Sequence, residues 1–140
     1  MSFEGVERIA PQPDASFAAY WDGVREGVLV LWRCADCQQT QIFPPDLCRG
    51  CHGSKLDRVE ASGRATVYTY TVVRRAPSPN WAAAVPYAIA LVDLAEGPRL
   101  MTNLVDCAPD DISIGMAVQV QFDRIDETFS LPFFRPAAAP

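Results

Sequence analysis

Two pairs of cysteines, Cys34-x2-Cys37 and Cys48-x2-Cys51, lie ten residues apart in a chain of 140. A two-residue spacing lets both thiolates of one tight knuckle face a single ion, and two knuckles supply the four ligands of a tetrahedral site. Zinc is the first reading, iron in a rubredoxin-like site the second and a disulfide framework the third. The chain opens with neither a basic start nor an apolar stretch of signal-peptide length, so a reducing, cytoplasmic compartment is expected. In such a compartment paired C-x2-C reads as metal. Four thiolates fill the coordination shell and leave no open position for water or substrate, so the expected ion is structural. The segment around it has too few apolar residues to fold alone, and metal binding can supply what its core lacks.

Two other residues invite a chemical reading. His52, the single histidine, directly follows the fourth cysteine, but with four thiolates present and no second histidine it reads as a knuckle-loop residue. Cys107, the fifth cysteine, sits beside Asp106. An acidic neighbour raises a thiol pKa, so it reads as a small, partly buried apolar residue and not as a nucleophile.

Size and composition bound the rest. A chain of this length with 49% apolar residues is globular and soluble. Its apolar runs, such as residues 28–32, are far short of the ~20 a membrane helix needs. Seventeen acidic residues against twelve basic ones, of which a single one is Lys, give a net charge of −5. Nucleic-acid binding needs a concentrated positive face, so this balance weighs against it. It stays the alternative function, single-strand binding by a zinc-ribbon and barrel module, with Tyr68 and Tyr70 as candidate base-stacking residues on a strand. The acid pairs Asp110-Asp111 and Asp126-Glu127 fall in turns, no Ser-His-Asp set exists, and no Gly-rich phosphate loop appears. The chain reads as a non-enzyme.

Periodicity places the elements. After a Pro-containing arm, Asp14 or Ser16 caps a helix whose Phe17, Tyr20, Trp21 and Val24 share one face, and Gly27 stops it. Residues 28–33 read as a strand into the first knuckle and 40–43 as its return. Beyond Arg64 the pattern is all strand: 64–75, 87–94, 99–105, 117–125 and 128–134, with turns at Gly63, Glu96-Gly97 and Gly115, which suggests a small barrel. The loop 76–86, with Pro77, Pro79, Trp81 and Pro86, is too long for a hairpin turn and is a candidate binding loop. The Pro-Ala tail after Arg135 is expected to be extended and partly disordered. The organisation expected is mainly β: an N-terminal arm and amphipathic helix (1–27), a zinc ribbon (28–60) and a five-stranded barrel with a short tail (61–140).

In order along the chain stand Phe17 and Trp21, Cys34-Ala-Asp-Cys37, Phe43-Pro44-Pro45, Cys48-Arg-Gly-Cys51, Gly63 and Tyr68-Thr-Tyr-Thr71. Then come Pro86-Tyr87, Val92-Asp93-Leu94, Gly115-Met116, Val118 and Phe134-Arg135-Pro136. This order resembles the acyl-CoA-associated family, first described as a domain of unknown function, in which a rubredoxin-like zinc ribbon is joined to an OB-fold. Gln38 departs from the pattern, since the family commonly carries Gly after the second cysteine. The resemblance covers nearly the whole chain. It implies structural Zn2+ on Cys34, Cys37, Cys48 and Cys51, and a non-catalytic accessory role. The implied partner is a thiolase-like, aldolase or hydratase enzyme of acyl-CoA and lipid metabolism, as in archaeal thiolase assemblies and bacterial steroid side-chain degradation. If acyl-CoA contacts this chain, Phe17, Trp21 and Trp81 can offer apolar contact, and Arg74 and Arg75, beside the Pro-rich loop, can meet phosphate.

Overall fold

A computed structural model describes residues 3–138. Asp14 opens the first helical segment, its Oδ1 accepting from the Ser16 amide at 2.8 Å. A 3-10 turn, Ala15–Phe17, leads into α1, Ala18–Arg25. The helix ends as its sequence requires. Gly27 has φ 82, its amide donates to the Val24 carbonyl at 3.1 Å, and the Val28 amide donates to the Gly23 carbonyl at 2.8 Å. That is a Schellman cap, whose left-handed residue is usually Gly. It turns the chain straight into the first strand. Gly23 permits the close approach that follows, since a Cβ there would lie 2.6 Å from Val30 Cγ2 and 2.9 Å from the Val28 carbonyl oxygen.

Three strands form the ribbon: β1, Val30–Cys34; β2, Thr40–Gln41; and β3, Leu56–Glu60. Their order is β2-β1-β3, all antiparallel. The third strand was not foreseen. Its sequence, Leu-Asp-Arg-Val-Glu, has only two apolar residues, both half-buried, and β1 is its sole partner. Register, from Val30 opposite Glu60 to Cys34 opposite Leu56, therefore comes from the partner strand and not from a pattern of its own.

The barrel follows: β4, Arg64–Val73; β5, Tyr87–Leu94; β6, Arg99–Leu104; β7, Ala117–Arg124; and β8, Ser130–Pro136. It closes in the order β4-β5-β6-β8-β7, with β7 returning to β4 and β6 parallel to β8. This is the five-stranded Greek-key closure of an OB-fold. From Ala88 onward β5 alternates buried and half-buried positions, as a strand with one face on a core does, and Tyr87 before it is buried in the second cluster. The last strand reaches Pro136, two residues past its expected end, and the Ala137 amide donates to the Ala117 carbonyl at 3.0 Å, so the start of the tail is extended and belongs to the barrel. Residues 139 and 140 lie outside the described part.

One apolar cluster joins the regions. Val24 of the helix and Leu29 and Leu31 at the ribbon's entry pack with Val67, Val92, Leu104, Val118 and Phe134 of the barrel. Phe17 and Trp21 lean on the same cluster, half-buried. A second, smaller cluster has Phe3, Tyr87, Val105 and Phe133 at its centre, with Trp81 against it.

Candidate metal centre and ligand surfaces

The four cysteine sulfurs all lie within 4.8 Å of one another. Cys34 and Cys51 are 3.6 Å apart, Cys37 and Cys48 3.5 Å. A tetrahedron of thiolates with Zn–S bonds of 2.3 Å has edges of about 3.8 Å, so the sulfurs already stand near the corners that zinc requires. A disulfide would need them at about 2.05 Å.

Both knuckles are built on one plan. In each, the amide of the first cysteine donates to a carbonyl five residues on, Cys34 to Gln39 at 2.9 Å and Cys48 to Gly53 at 2.8 Å. The residue four places on donates back, Gln38 to the Cys34 carbonyl at 3.0 Å and His52 to the Cys48 carbonyl at 2.9 Å. Those two returning residues carry positive φ, 64 for Gln38 and 61 for His52. The family's Gly at the first of these positions is therefore explained by backbone geometry, and Gln38 holds the same turn without it. His52 is exposed and occupies the matching position in the second knuckle.

Backbone amides also point at the sulfurs, Gly50 to Cys48 Sγ at 3.3 Å and Gly53 to Cys51 Sγ at 3.4 Å. The Cys51 and Gly50 amides and the neighbouring thiols draw the Cys48 thiol down to about 7. Cys51 goes the other way, to about 12, because neighbouring thiols and desolvation outweigh the lowering by the Gly53 amide. Four thiolates this close cannot all carry charge unless a cation neutralises them, and the donor set fits zinc.

Gln41, which sequence reasoning passed over, braces the second knuckle. It is buried in β2, and its Nε2 donates to the Leu47 carbonyl at 3.1 Å and the Pro44 carbonyl at 3.4 Å. Its Oε1 accepts from the Arg49 amide at 2.9 Å. A side chain that ties a loop to a strand has no signature in the spacing of residues. Phe43 and Leu47 of that loop are exposed, with the Arg49 guanidinium 4.0 Å from the centre of the Phe43 ring.

The candidate ligand residues separate into two groups. Phe17 and Trp21 lie on the helix face against the main core, where Trp21 meets Tyr20 and Phe129 edge to face at 5.2 and 5.7 Å. Trp81 stands in the Pro-rich loop, in a 3-10 turn, Pro79–Trp81, and belongs to the second cluster. Arg74 and Arg75 fall just beyond the end of β4, exposed at the start of that loop. The structure thus joins Trp81 to the arginine pair through one loop and does not bring Phe17 and Trp21 into that cluster. Beside Trp81 are two clefts, of about 260 and 340 Å³, that share Trp81 and Asn103.

The remaining candidates have structural partners. Arg99 lies 3.3 Å from the centre of the Tyr68 ring and pairs with Asp93 at 2.7 Å, covering a face on which a base would stack. The Arg99 guanidinium holds the Asp93 carboxyl below its ordinary range. Tyr70 donates its hydroxyl to the Ile112 carbonyl at 3.0 Å and packs on the core. Asp126 Oδ1 accepts from the Thr128 and Phe129 amides at 2.7 and 2.8 Å, which lowers its pKa and makes it a turn-builder. Cys107 is half-buried against the core, and burial pushes its thiol up. Among the described residues no helix is long and apolar enough to cross a membrane.

A ribbon of four metal-spaced cysteines continuous with an OB barrel defines a zinc-ribbon OB-fold protein. The chain belongs to the DUF35 family in its ChsH2-like form. Residues 21–57 match the rubredoxin-like zinc ribbon domain of ChsH2, and residues 58–123 match the C-terminal OB-fold domain of ChsH2. Among its relatives is a probable enoyl-CoA hydratase alpha subunit of Thermomonospora curvata, 43% identical over 120 residues. That match takes in 85% of this chain but only 37% of the hydratase subunit, so the chain spans little more than a third of that protein. A DUF35 domain-containing scaffold protein of Methanocaldococcus jannaschii is 35% identical over 109 residues, 76% of this chain and 77% of the scaffold. Among solved structures, a chain of the Ltp2-ChsH2(DUF35) aldolase superposes with a TM-score of 0.80 at 40% identity, covering 92% of this chain and 100% of its own.

Proposed function

We propose that this chain is a non-catalytic accessory subunit that docks on a thiolase-like, aldolase or hydratase enzyme acting on acyl-CoA thioesters. The observation that carries the reading is the near-complete superposition on a chain from an aldolase assembly. Support also comes from relatives named as scaffold proteins, while the relative named as a hydratase subunit is much longer than this chain. In this role the metal stiffens the ribbon and takes no part in turnover, because a shell of four thiolates has no position to offer a substrate. The ribbon and barrel, joined by one apolar cluster, present a rigid face to a partner.

For acyl-CoA, the Trp81 loop is the stronger candidate surface. Trp81 and its clefts offer apolar contact, and Arg74 and Arg75, at the start of the same loop, offer charge to phosphate. Phe17 and Trp21 would contribute only from the exposed edge of their packing face. The test is mild affinity purification of the tagged chain from its native cells, with mass spectrometry of co-purifying proteins and retained small molecules. A stoichiometric thiolase-fold or hydratase-fold enzyme is expected. Recovery of nucleic acid, or of no protein partner, would overturn the proposal.

A further inference from the structure

Four arginines stand on strands of the barrel: Arg64 on β4, Arg99 on β6, Arg124 on β7 and Arg135 on β8. Two of them are committed. Arg99 pairs with Asp93 at 2.7 Å, and Arg124 Nε donates to the Asp126 carbonyl at 3.0 Å. The other two are not. The Arg64 side chain engages only its Nε, on Ser62 Oγ at 3.5 Å, and the Arg135 side chain makes no hydrogen bond or ion pair among the described residues.

Register brings this pair together. Arg64 stands directly opposite Gln119, and Gln119 directly opposite Arg135, so the three form one row across β4, β7 and β8. Residues directly opposite in a ladder share a face. Here it is the outer face, because their chain neighbours Ala65, Val118 and Phe134 are buried in the main core. With adjacent strands about 4.8 Å apart, the two arginine Cα atoms are about 10 Å apart. Gln119 lies between them, its Nε2 donating to the Ser62 carbonyl at 3.3 Å.

The row borders a cleft of about 640 Å³, the size of a small-molecule site. Two other kinds of surface complete the lining. Pro136, Ala137 and Ala138 supply an apolar wall, fixed where the Ala137 amide donates to the Ala117 carbonyl. Asp106 supplies one carboxylate, from a loop set by its φ of 56 and by the Val105 amide donating to the Phe134 carbonyl at 2.8 Å. A second acid, Glu96, is near enough to Arg64 to feel its charge, but it is not part of the lining, and its Oε1 accepts from the Ser62 amide at 2.7 Å. Two like charges held on one row repel each other, and an anion between them turns that repulsion into attraction. A phosphate matches the guanidinium fork, and strands hold such a pair at a defined spacing.

We propose that this cleft is a binding site for a phosphate monoester on a nucleotide. Arg64 and Arg135 grip the phosphate, Asp106 accepts from a hydroxyl or amine of the ligand, and the wall at 136–138 lies against its ring. The choice of a nucleotide rests on the acyl-CoA reading, since the carrier of such a thioester ends in a phosphorylated adenosine; the site rests on the geometry alone. Arg74 and Arg75 lie beyond the far end of β4, roughly 30 Å along the strand from Arg64, so the two arginine pairs cannot hold the same phosphate.

The probe is adenosine 3′,5′-bisphosphate, titrated calorimetrically into the full chain with its metal bound. Saturable one-to-one binding is expected. Arg64→Gln and Arg135→Gln, each checked for a native far-UV spectrum, should each weaken it about tenfold or more, the factor that a hydrogen bond to a charged group supplies. Gln119→Glu, which sets a carboxylate between the arginines, should abolish it. Arg58→Gln, on β3 of the ribbon, should bind as the unaltered chain does. Absence of binding, or equal binding by the unaltered chain and both arginine variants, would overturn the site; should those variants not fold, undiminished binding by Gln119→Glu overturns it instead. Loss confined to Arg74→Gln or Arg75→Gln puts the phosphate at the Pro-rich loop and also retires the cleft. Inorganic phosphate binding as tightly as the bisphosphate overturns the nucleotide, and displacement by oligothymidylate at equal phosphate concentration overturns the monoester in favour of a nucleic-acid backbone. The two readings fail separately. Bisphosphate binding with no enzyme recovered from cells retires only the accessory reading, and a recovered enzyme with no bisphosphate binding retires only this site.

Discussion

The ribbon and the barrel reach order by different physics. In the barrel, five strands close on themselves and bury Val67, Val92, Leu104, Val118 and Phe134 almost completely, so burial and a ladder without free edges hold the fold. The ribbon has a two-residue strand, two open edges and, beyond its junction with the barrel, few fully buried side chains other than Cys34 and Cys48. What occupies the centre of the ribbon is sulfur. A region with its core made of metal-type ligands is expected to depend on an ion held there, and the barrel is not.

The largest effect should therefore come from the metal. Stripping the ion with a strong chelator, or changing Cys34 to Ser, removes a binding free energy of about 10–16 kcal/mol of the kind measured in zinc peptides. Amide resonances of β1, β2 and the knuckles should collapse toward disordered positions while those of β4 to β8 persist. Elemental analysis of the purified chain should give one zinc per molecule. If the barrel resonances are lost together with the ribbon's, the shared cluster through Leu29 and Leu31 makes the two regions one cooperative unit, and the contrast drawn above is wrong.

The converse perturbation is Phe134→Ala in the barrel. Phe134 is 0% exposed in the middle of the main core, and emptying such a site costs about 3–5 kcal/mol. At about 2–4 °C per kcal/mol for a domain of this size, the melting temperature should fall by roughly 10 °C. Zinc content should stay at one per chain. A variant that folds but loses its metal would show that the barrel orders the ribbon, and would reverse the direction of dependence.

The same contrast decides what could be read from residues alone. Ligand spacing is local, so Cys34 to Cys51 announced a metal site without any knowledge of the fold, and the sulfurs do converge. Barrel strands were legible because alternation marks a strand with one buried face, as in Tyr87–Leu94. β3 was not legible because its sequence has no such face and its order is borrowed from β1. Burial at the end of a long excursion left no mark either: nothing around Phe3 distinguishes it from an arm residue in solvent, and its partners lie at positions 81, 87 and 133. Helix periodicity gave the face shared by Phe17 and Trp21 correctly, but a face does not say what it packs on. Only the tertiary structure separates those two from Trp81.

The smallest expected effect lies within the ribbon, between its two knuckles. Gln38 and His52 occupy equivalent left-handed positions, φ 64 and 61. An L-residue there pays about 1–2 kcal/mol in steric strain, which Gly would relieve, while Gly adds about 0.5–1 kcal/mol of backbone entropy to the unfolded chain. Gln38→Gly also gives up an exposed hydrogen bond from Nε2 to the Ala35 carbonyl at 3.0 Å, of little net worth in water. The balance favours Gly at position 38 by about 0.5 kcal/mol. His is among the residues that tolerate this conformation better, so the gain from His52→Gly should be smaller. Competition with a colorimetric chelator measures both, as the rate and extent of zinc release. Gln38→Gly should hold its metal slightly longer than the unaltered chain, and His52→Gly should be nearly indistinguishable from it. Faster release from Gln38→Gly would mean that the side-chain bond to Ala35, and not backbone strain, governs the first knuckle.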